Sequence, residues 1–231
     1  MPVDKDKEVA SFRGLWKDGY FDADPLVPFA DSSYARDDKV GHISVYHATY
    51  LYCIQQHVHA DTVALELGPG RGAWTKSMLG AKEIWAVDAV SAEDNKFWEY
   101  VGKRNDVKYV TVNDFLCREL PDRHFTYMFS FGCLCHVSFP NIAAYAENLW
   151  AKLRPGAVCF WMVADYEQFE RVSKRKISGA GRLPDDKPVP GRWFDAGKRR
   201  TCEMLGAAGY RIVHEDIGTC PRDPIIHFVR P

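Results

Sequence analysis

The sequence predicts an α/β domain in which a parallel sheet is covered by helices on both faces. From residue 73 onward, apolar runs typical of strands alternate with stretches of helical spacing, which favours that architecture. A strand-like run that begins at Thr62 also leads directly into Gly68, Gly70 and Gly72 and then into a helical pattern. Strand, glycine turn and helix in this order are typical of a nucleotide-type cofactor pocket at the carboxyl edge of a sheet.

Residues 1–37 are predicted to form an N-terminal arm, and residues 38–231 the domain. The arm is mixed in charge and is interrupted by Gly19, Pro25 and Pro28, which predicts a loose segment with short turns. Its aromatic side chains indicate that it packs on another surface, and one interpretation is a contact between two copies of the chain. These aromatics are Phe12, Trp16, Tyr20, Phe21 and Phe29.

The predicted elements of the domain follow one another without an internal repeat. Apolar spacing predicts helices over 39–57, 73–80, 92–104, 139–153 and 195–208, and strands over 83–88, 107–112, 125–131 and 157–163. Segment 171–193, rich in basic residues and prolines, breaks this rhythm at the edge where a substrate would enter. Two interpretations stay open for it: a substrate lid whose basic residues meet a phosphate or acidic group, or a solvated loop.

Composition excludes several classes of protein. The chain has 231 residues and a formal net charge of −1, which gives no global electrostatic footprint for nucleic acid. It lacks the long apolar tract of a membrane span and the apolar region of a signal peptide. An odd number of cysteines, seven, favours reduced thiols, so we expect a cytoplasmic protein. The triplet Cys133-x-Cys135-His136 has no partner pair, which favours buried small side chains over a metal site.

The spacing of the glycines leaves the cofactor open. With Ala73 in the last position it fits the G-x-G-x-x-G/A pattern of dinucleotide-binding proteins, so an NAD-dependent oxidoreductase is one candidate. The strand Ile84–Asp88 ends in a carboxylate about 20 residues after the first glycine, where a ribose is held in such folds. Asp88 would also suit the cap of the following helix.

A family resemblance favours a cofactor other than NAD. The run Glu66-Leu67-Gly68-Pro69-Gly70-Arg71-Gly72, followed by Asp88, resembles motifs one and two of class I S-adenosylmethionine-dependent methyltransferases. Further matches are Asn113-Asp114-Phe115, the turn Leu153–Ala157 and the closing segments 209–216 and 224–229. The resemblance implies a Rossmann-like, seven-stranded, mostly parallel sheet with an antiparallel terminal strand pair. It also implies S-adenosylmethionine as the cofactor.

The resemblance assigns donor-binding roles residue by residue. Gly68, Gly70 and Gly72 would pass under the amino-acid part and the ribose, while Glu66 fixes the turn or receives the ammonium group. Asp88 would accept both ribose hydroxyls. The remaining assignments are Asp114 for the adenine amino group, Phe115 for the adenine ring, and Ser130 and Phe131 beside the sulfonium. Tyr34 and Arg36 of the arm, which match no motif of the family, could reach the donor carboxylate.

A narrower resemblance concerns the acceptor. Gly70–Thr75, Phe129–Phe131 and Cys135–Val137 are similar to bacterial methyltransferases of sugars, glycolipids and polysaccharides. This implies an O-methyltransferase for a small molecule, a sugar or glycoside, with or without a phosphate. His136, just past the fourth strand, is the candidate base, with Asp165 and His47 as weaker candidates. Gly132-Cys133 replaces the family's acid-plus-small pair there, which leaves a divalent metal open.

Three alternatives remain beside the oxidoreductase. A small-molecule N-methyltransferase would tolerate the loss of His136, because an amine acceptor needs only to arrive unprotonated. A binding protein that has lost catalysis would keep the donor residues. Methylation of nucleic acid is disfavoured, because the fourth strand is followed by Gly132-Cys133-Leu134-Cys135 rather than by an Asn/Asp-Pro-Pro-Tyr-type signature.

Overall fold

The computed structural model describes residues 5–16, 18–29, 39–40, 43–173 and 194–231. A short hairpin, β1 (Lys39–Val40) and β2 (Ile43–Ser44), precedes a seven-stranded sheet. The strands of this sheet are β3 (Val63–Leu67), β4 (Glu83–Asp88), β5 (Val107–Thr111), β6 (Phe125–Ser130), β7 (Leu153–Met162), β8 (Arg211–His214) and β9 (Ile225–Val229).

The strand order of the large sheet is β5-β4-β3-β6-β7-β9-β8. Strands β3 to β7 pair in parallel, whereas β9 pairs antiparallel with both β7 and β8. The predicted mostly parallel sheet with its antiparallel terminal pair is therefore confirmed. The chain winds outward from β3 through β4 to β5 and then returns to β6 on the other side of β3. Such a reversal opens a crevice at the carboxyl ends of β3 and β6.

The sheet is buried on both faces, as its nearly continuous apolar strands require. Every residue of β3 and of β9 is buried. Neighbouring residues of a strand point to opposite faces, so Leu65 and Met128 belong to one apolar core and Ala64 and Tyr127 to the other. These two cores fix the register of the strands whose ends form the crevice.

Within the described residues, the helices are α1 (Lys5–Leu15), α2 (Val45–Thr49), α3 (Ala73–Ser77), α4 (Phe97–Val101), α5 (Phe139–Trp150), α6 (Tyr166–Ser173) and α7 (Lys198–Ala207). Helix α2 continues as a π-helix over Tyr50–Ile54, and a short 3₁₀ helix spans Leu134–His136. None of the described helices is long and apolar enough to cross a membrane.

Several predicted boundaries are wrong for local reasons. The helix expected over 39–57 starts only at Val45, because Lys39–Val40 and Ile43–Ser44 are paired strands and the Ser44 side chain caps the helix by accepting from the N–H of His47 at 3.2 Å. The helix expected over 92–104 is confined to α4, since Lys96 before it has a left-handed φ of 51° and Gly102 after it a φ of 81°.

The arm and the segment after β7 also differ from expectation. The arm is not a run of short turns, because Lys5–Leu15 is helical and packs on the domain. Helix α6 occupies the beginning of the segment predicted as a long loop over 171–193. Residues 174–193 lie outside the described residues, so the choice between a lid and a solvated loop stays a prediction.

Candidate functional site

One pocket occupies the crevice at the carboxyl edge of β3, β4 and β6. Its empty space is about 940 Å³, counting the part that opens to solvent. Six of the residues predicted from the sequence line it, namely Gly68, Gly70, Asp88, Phe115, Phe131 and His136. The sequence motifs after β3, β4, β5 and β6 therefore converge on one cavity.

The glycine turn after β3 is packed too closely for side chains. Gly68 has a φ of +70°, and a Cβ atom there would lie 2.4 Å from Sγ of Cys133, which belongs to the loop after β6. Gly70 has a φ of +53°, and its Cβ would lie 2.9 Å from the carbonyl oxygen of Tyr20 in the arm. Both positions need glycine because of the left-handed backbone and the close approach. The turn is thus clamped between the β6 loop and the arm.

Gly72, the third glycine of the motif, does not line the pocket. It precedes α3 with a φ of +97°, and a Cβ atom there would lie 2.3 Å from a methyl carbon of Val101 in α4. The structure thus explains this glycine by the packing of α3 on α4 rather than by an approach to a ligand.

Asp88 ends β4 and holds its carboxylate at the edge of the pocket. The N–H of Val90 donates to Oδ1 at 2.9 Å, and the N–H of Gly70 donates to Oδ2 at 3.2 Å. Burial raises the pKa of the Asp88 carboxyl above its ordinary value, and these backbone donors act in the opposite direction. A carboxylate has about four acceptor positions, so the fixed group can accept further hydrogen bonds from a ligand.

Glu66 lies behind the pocket rather than in its lining. It is 1% exposed, and the hydroxyl of Thr75 donates to its Oε2. Burial, more than any other cause, raises the pKa of Glu66 to about 8. Through its hydrogen bond with Thr75, the buried carboxyl ties the end of β3 to α3.

Two residues were predicted to contact the adenine and two to lie beside the sulfonium. In each pair, only one residue lines the pocket. Phe115 lines the pocket and meets Tyr145 edge-on at 4.9 Å, but the Asp114 carboxylate is outside the lining and accepts from the N–H of Leu116 at 2.8 Å. Phe131 lines the pocket, whereas the hydroxyl of Ser130 is fully buried and donates to the carbonyl of Leu67 at 3.1 Å. Ser130 thus joins β6 to β3 directly below the cavity.

His136 is the one candidate base that reaches the pocket. It ends the 3₁₀ helix after β6, is half-buried, and its ring lies 4.8 Å from the ring of Trp16. The other two candidates lie elsewhere: His47 hydrogen-bonds the carbonyl of Pro25, and Asp165 accepts from the N–H groups of Gln168 and Lys198. Tyr34 and Arg36 lie outside the described residues.

Much of the pocket wall comes from residues that the sequence analysis did not place in the site. The arm contributes Val9, Phe12, Trp16, Tyr20, Phe21 and Asp22, whose aromatic members were expected only to pack on another surface, and the domain adds Tyr46 and Trp74, which cluster with Phe131. The spacing of Val9, Phe12 and Trp16 is i, i+3 and i+7, the signature of one helix face. This helical spacing could have been recognised from the sequence alone.

The described residues include no group of three or more His, Cys, Asp or Glu side chains placed to hold a metal ion. Cys135 is buried and Cys133 packs on Gly68. The Cys133-x-Cys135-His136 triplet is therefore accounted for by packing and by the position of His136, and the question of a divalent metal stays open.

A family model described as a methyltransferase domain matches residues 59–215, which is more than half of the chain. The chain belongs to this methyltransferase family. The match includes the glycine turn, Asp88, Phe131 and His136. Among curated proteins, no match is found.

Solved structures of methyltransferases share the fold at low sequence identity. The DhpI–SAM–HEP complex has a TM-score of 0.65 at 19% identity, with 100% of both chains covered. The N-methyltransferase NodS from Bradyrhizobium japonicum WM9 has a TM-score of 0.57 at 12% identity, covering 81% of this chain and 97% of NodS. The mitomycin 7-O-methyltransferase MmcR has a TM-score of 0.55 at 12% identity, covering 81% of this chain and 54% of MmcR.

S-adenosylmethionine is the cofactor of this methyltransferase, as the sequence predicted. The chemistry of the pocket fits it. Val112 and Phe115 supply an apolar end, Asp88 supplies a carboxylate acceptor, and the glycine turn supplies backbone. At Gly132, which has a φ of +72°, a Cβ atom would meet nothing nearer than the Tyr20 ring at 4.0 Å, so the space beside this glycine is open.

Proposed function

We propose that this methyltransferase methylates a hydroxyl group of a small molecule, a sugar or a glycoside. The observation that carries the proposal is that His136 lines the same pocket as Asp88 and the glycine turn. A histidine with an ordinary pKa near ~6.5 can take up a proton at neutral pH. A hydroxyl acceptor needs such a base, because its proton becomes acidic only as the new bond forms.

The residues assigned to S-adenosylmethionine fall into two groups, those that would contact it and those that support the contacting residues. Asp88 would accept hydrogen bonds from the ribose hydroxyls, Phe115 would pack on the adenine ring, and Phe131 would line the cavity near the reacting group. Glu66, Gly72 and Ser130 act from behind by fixing β3, α3 and β6. Asp114 would reach the adenine amino group only by giving up its hydrogen bond to Leu116, so we place it last among the donor residues.

The protein's contribution to the reaction is alignment, proton removal and exclusion of water. When bound, S-adenosylmethionine supplies an electrophilic methyl group attached to a sulfonium that is its own leaving group. Alignment of reacting groups can lower a barrier by roughly 7–11 kcal/mol. His136 takes the proton of the acceptor hydroxyl, and Phe131, Trp16 and Tyr20 keep the surroundings apolar.

Three further observations bear on a sugar acceptor, on a cytoplasmic location and on a contact between two copies of the chain. Aromatic side chains at the mouth, among them Tyr20 and Phe21, offer flat faces on which a sugar ring can pack. All seven cysteines are free thiols, which suits a reducing cytoplasm. Leu26, Val27 and Phe29 of the arm are exposed, so a contact between two copies of the chain stays a prediction for that part of the arm.

The alternative is N-methylation of a small molecule, because the fold is shared with an N-methyltransferase as well as with an O-methyltransferase. The replacement His136→Gln separates the two. For a hydroxyl acceptor, turnover should fall by roughly 10²- to 10⁴-fold, the usual contribution of a general base. The affinity for S-adenosylhomocysteine should stay within about twofold.

The measurement is transfer of labelled methyl groups to a panel of sugars, glycosides, phosphosugars and amines. The exposed His59, which lies before β3, provides the matched control His59→Gln with wild-type turnover expected. Turnover of His136→Gln equal to wild type would remove the base role and favour the amine acceptors.

A further inference from the structure

Helix α1 carries a buried carboxylate that the methyl-transfer chemistry does not use. Glu8 is only 4% exposed, although it belongs to the N-terminal arm. It lies against the start of α5, the helix that follows His136. A buried carboxylate is stabilised only where hydrogen bonds or opposite charges compensate its loss of water.

The compensation comes from three donors at the start of α5. The backbone N–H of Ser138 donates to Oε1 of Glu8 at 2.7 Å. The hydroxyl of Ser138 donates to Oε2 at 2.7 Å, and the side-chain amide of Asn141 donates to the same oxygen at 2.5 Å. Ser138 and Asn141 are themselves buried, so water cannot readily replace the carboxylate.

Glu8 also acts as the cap that α5 lacks within its own sequence. Ser138 is the N-cap residue of this helix, but its side chain makes no capping hydrogen bond within the helix and points to Glu8 instead. A negative charge near the N-terminus of a helix is favourable, since the free N–H groups and the helix dipole are positive there. The arm thus supplies a charge that the domain needs.

Through its contacts with α5, Glu8 fixes the face of α1 that closes the pocket. Val9, Phe12 and Trp16 all line it, and the Trp16 ring lies 4.8 Å from the His136 ring. Arg13 extends the same attachment, because its Nε donates at 3.0 Å to the carbonyl of Ala89, the residue after Asp88.

A second attachment lies at the end of this arm segment. The N–H of Asp18 donates to the carbonyl of Asp94 at 2.8 Å, and the N–H of Arg71 in the glycine turn donates to the carbonyl of Tyr20 at 3.1 Å. The second bond joins the arm directly to the donor site. Displacement of α1 would therefore change the packing around the glycine turn as well as around His136.

We propose that Glu8 is a positioning residue that latches α1 over the donor pocket. The identity of the ligand rests on the proposed function, whereas the latch itself is a property of the chain. Release of the carboxylate from Ser138 and Asn141 would let Phe12 and Trp16 leave the pocket, so the latch sets how long the donor or its product stays bound. It also holds Trp16 against His136.

The replacement Glu8→Gln tests the latch with little change of shape. Both carboxylate oxygens accept hydrogen bonds from donors, so the –NH₂ group of glutamine must face a donor whichever way the amide turns. Ala10 is an exposed residue of the same helix, and Ala10→Gln adds the same side chain as a matched control. If Glu8→Gln does not fold, Ser138→Ala removes one of the three donors and leaves the backbone donor in place.

Two rates should change. Amide hydrogen exchange in α1 of the ligand-free protein should be at least about tenfold faster in Glu8→Gln, with β3 and β6 unchanged, because a local opening exposes only the arm. Dissociation of S-adenosylhomocysteine, followed by stopped-flow tryptophan fluorescence, should also accelerate about tenfold. Ser138→Ala should shift both rates in the same direction by a smaller factor, and Ala10→Gln should shift neither.

The outcomes separate the latch from the proposed function. Exchange and dissociation rates of Glu8→Gln within about twofold of wild type would overturn the latch while leaving the methyltransferase proposal standing. Faster exchange throughout the sheet would also overturn it, since Glu8 would then act on global stability alone. A wild-type protein that binds no S-adenosylhomocysteine would contradict the donor site, whereas the exchange of α1 would still decide the latch.

Discussion

Asp88 receives hydrogen bonds on both carboxylate oxygens before any ligand is considered. The N–H groups of Gly70 and Val90 orient the group, and burial raises its pKa. A partly desolvated acceptor that is already oriented can form strong hydrogen bonds to two adjacent hydroxyls, because little further ordering is needed.

The replacement Asp88→Ala should therefore weaken donor binding. Hydrogen bonds to a charged group contribute about 1.5–3 kcal/mol, so the Kd of S-adenosylhomocysteine should rise by about 10- to 100-fold. Isothermal titration calorimetry measures this directly. Asp122, which is 69% exposed and precedes β6, offers the control Asp122→Ala. An unchanged Kd for Asp88→Ala would refute the ribose assignment.

At the residue scale, the sequence predicted positions better than contacts. Gly68, Gly70, Asp88, Phe115, Phe131 and His136 line the pocket, because residues just past parallel strands meet at one edge. The contacts of Glu66 and Gly72 could not be predicted from the sequence, since their partners belong to other elements of the fold. The hydroxyl of Thr75 donates to Glu66, and Val101 leaves no room for a side chain at Gly72.

His214 of β8, His227 of β9 and His57, which precedes β3, form a histidine cluster, and we expect it to make this part of the sheet sensitive to acid. The His227 ring stacks on Phe160 at 4.4 Å and lies 5.7 Å from the ring of His57 and 5.6 Å from that of His214. Burial, followed by the charges of the nearby His57, His214 and Arg211, lowers the pKa of His227 to about 4. Its Nδ1 is buried without a hydrogen-bond partner among the described residues.

This shift makes the free energy of unfolding fall as the pH drops below about 6.5. The unfolded chain takes up a proton on this histidine near ~6.5, while the folded chain resists protonation until about pH 4. Stability is therefore fully present above the unfolded pKa and is lost as the pH falls toward the folded one.

The replacement His227→Phe keeps the ring and removes the titration. Relative to wild type, it should gain about 1 kcal/mol of stability at pH 5 compared with pH 7.5, a figure reduced for solvent screening. Urea unfolding at the two pH values gives this difference. The exposed His59 supplies the control His59→Phe. Parallel pH dependences for wild type and His227→Phe would contradict the account.

At the element scale, strands were predicted more accurately than helices and the arm. Buried parallel strands are continuous apolar runs, so their limits are visible in the sequence. The helix start at Val45 and the short α4 depend on a hairpin, a cap and left-handed residues. Helix α1 was predicted as loose turns because Gly19, Pro25 and Pro28 dominated the pattern, although Val9, Phe12 and Trp16 carried helical spacing.

At the scale of the whole molecule, the candidate functional residues lie together at one edge of the sheet. The reversal of strand order at β3 and β6 opens the crevice, and the glycine turn and Asp88 line it, where we propose that they contact the donor. Helix α1 then closes the pocket from outside the sheet. The family motifs predicted the first two features because they are local in sequence. The closure joins Glu8 to Ser138, 130 residues apart, and no local pattern reports such a pair.

The most direct test of this account is a calorimetric titration of the wild-type protein with S-adenosylhomocysteine, run beside NAD on the same preparation. The account predicts a Kd in the micromolar range, about −8 kcal/mol of binding free energy, for S-adenosylhomocysteine and no heat of binding for NAD. Binding of NAD without binding of S-adenosylhomocysteine would contradict the account and reassign the glycine turn to a dinucleotide.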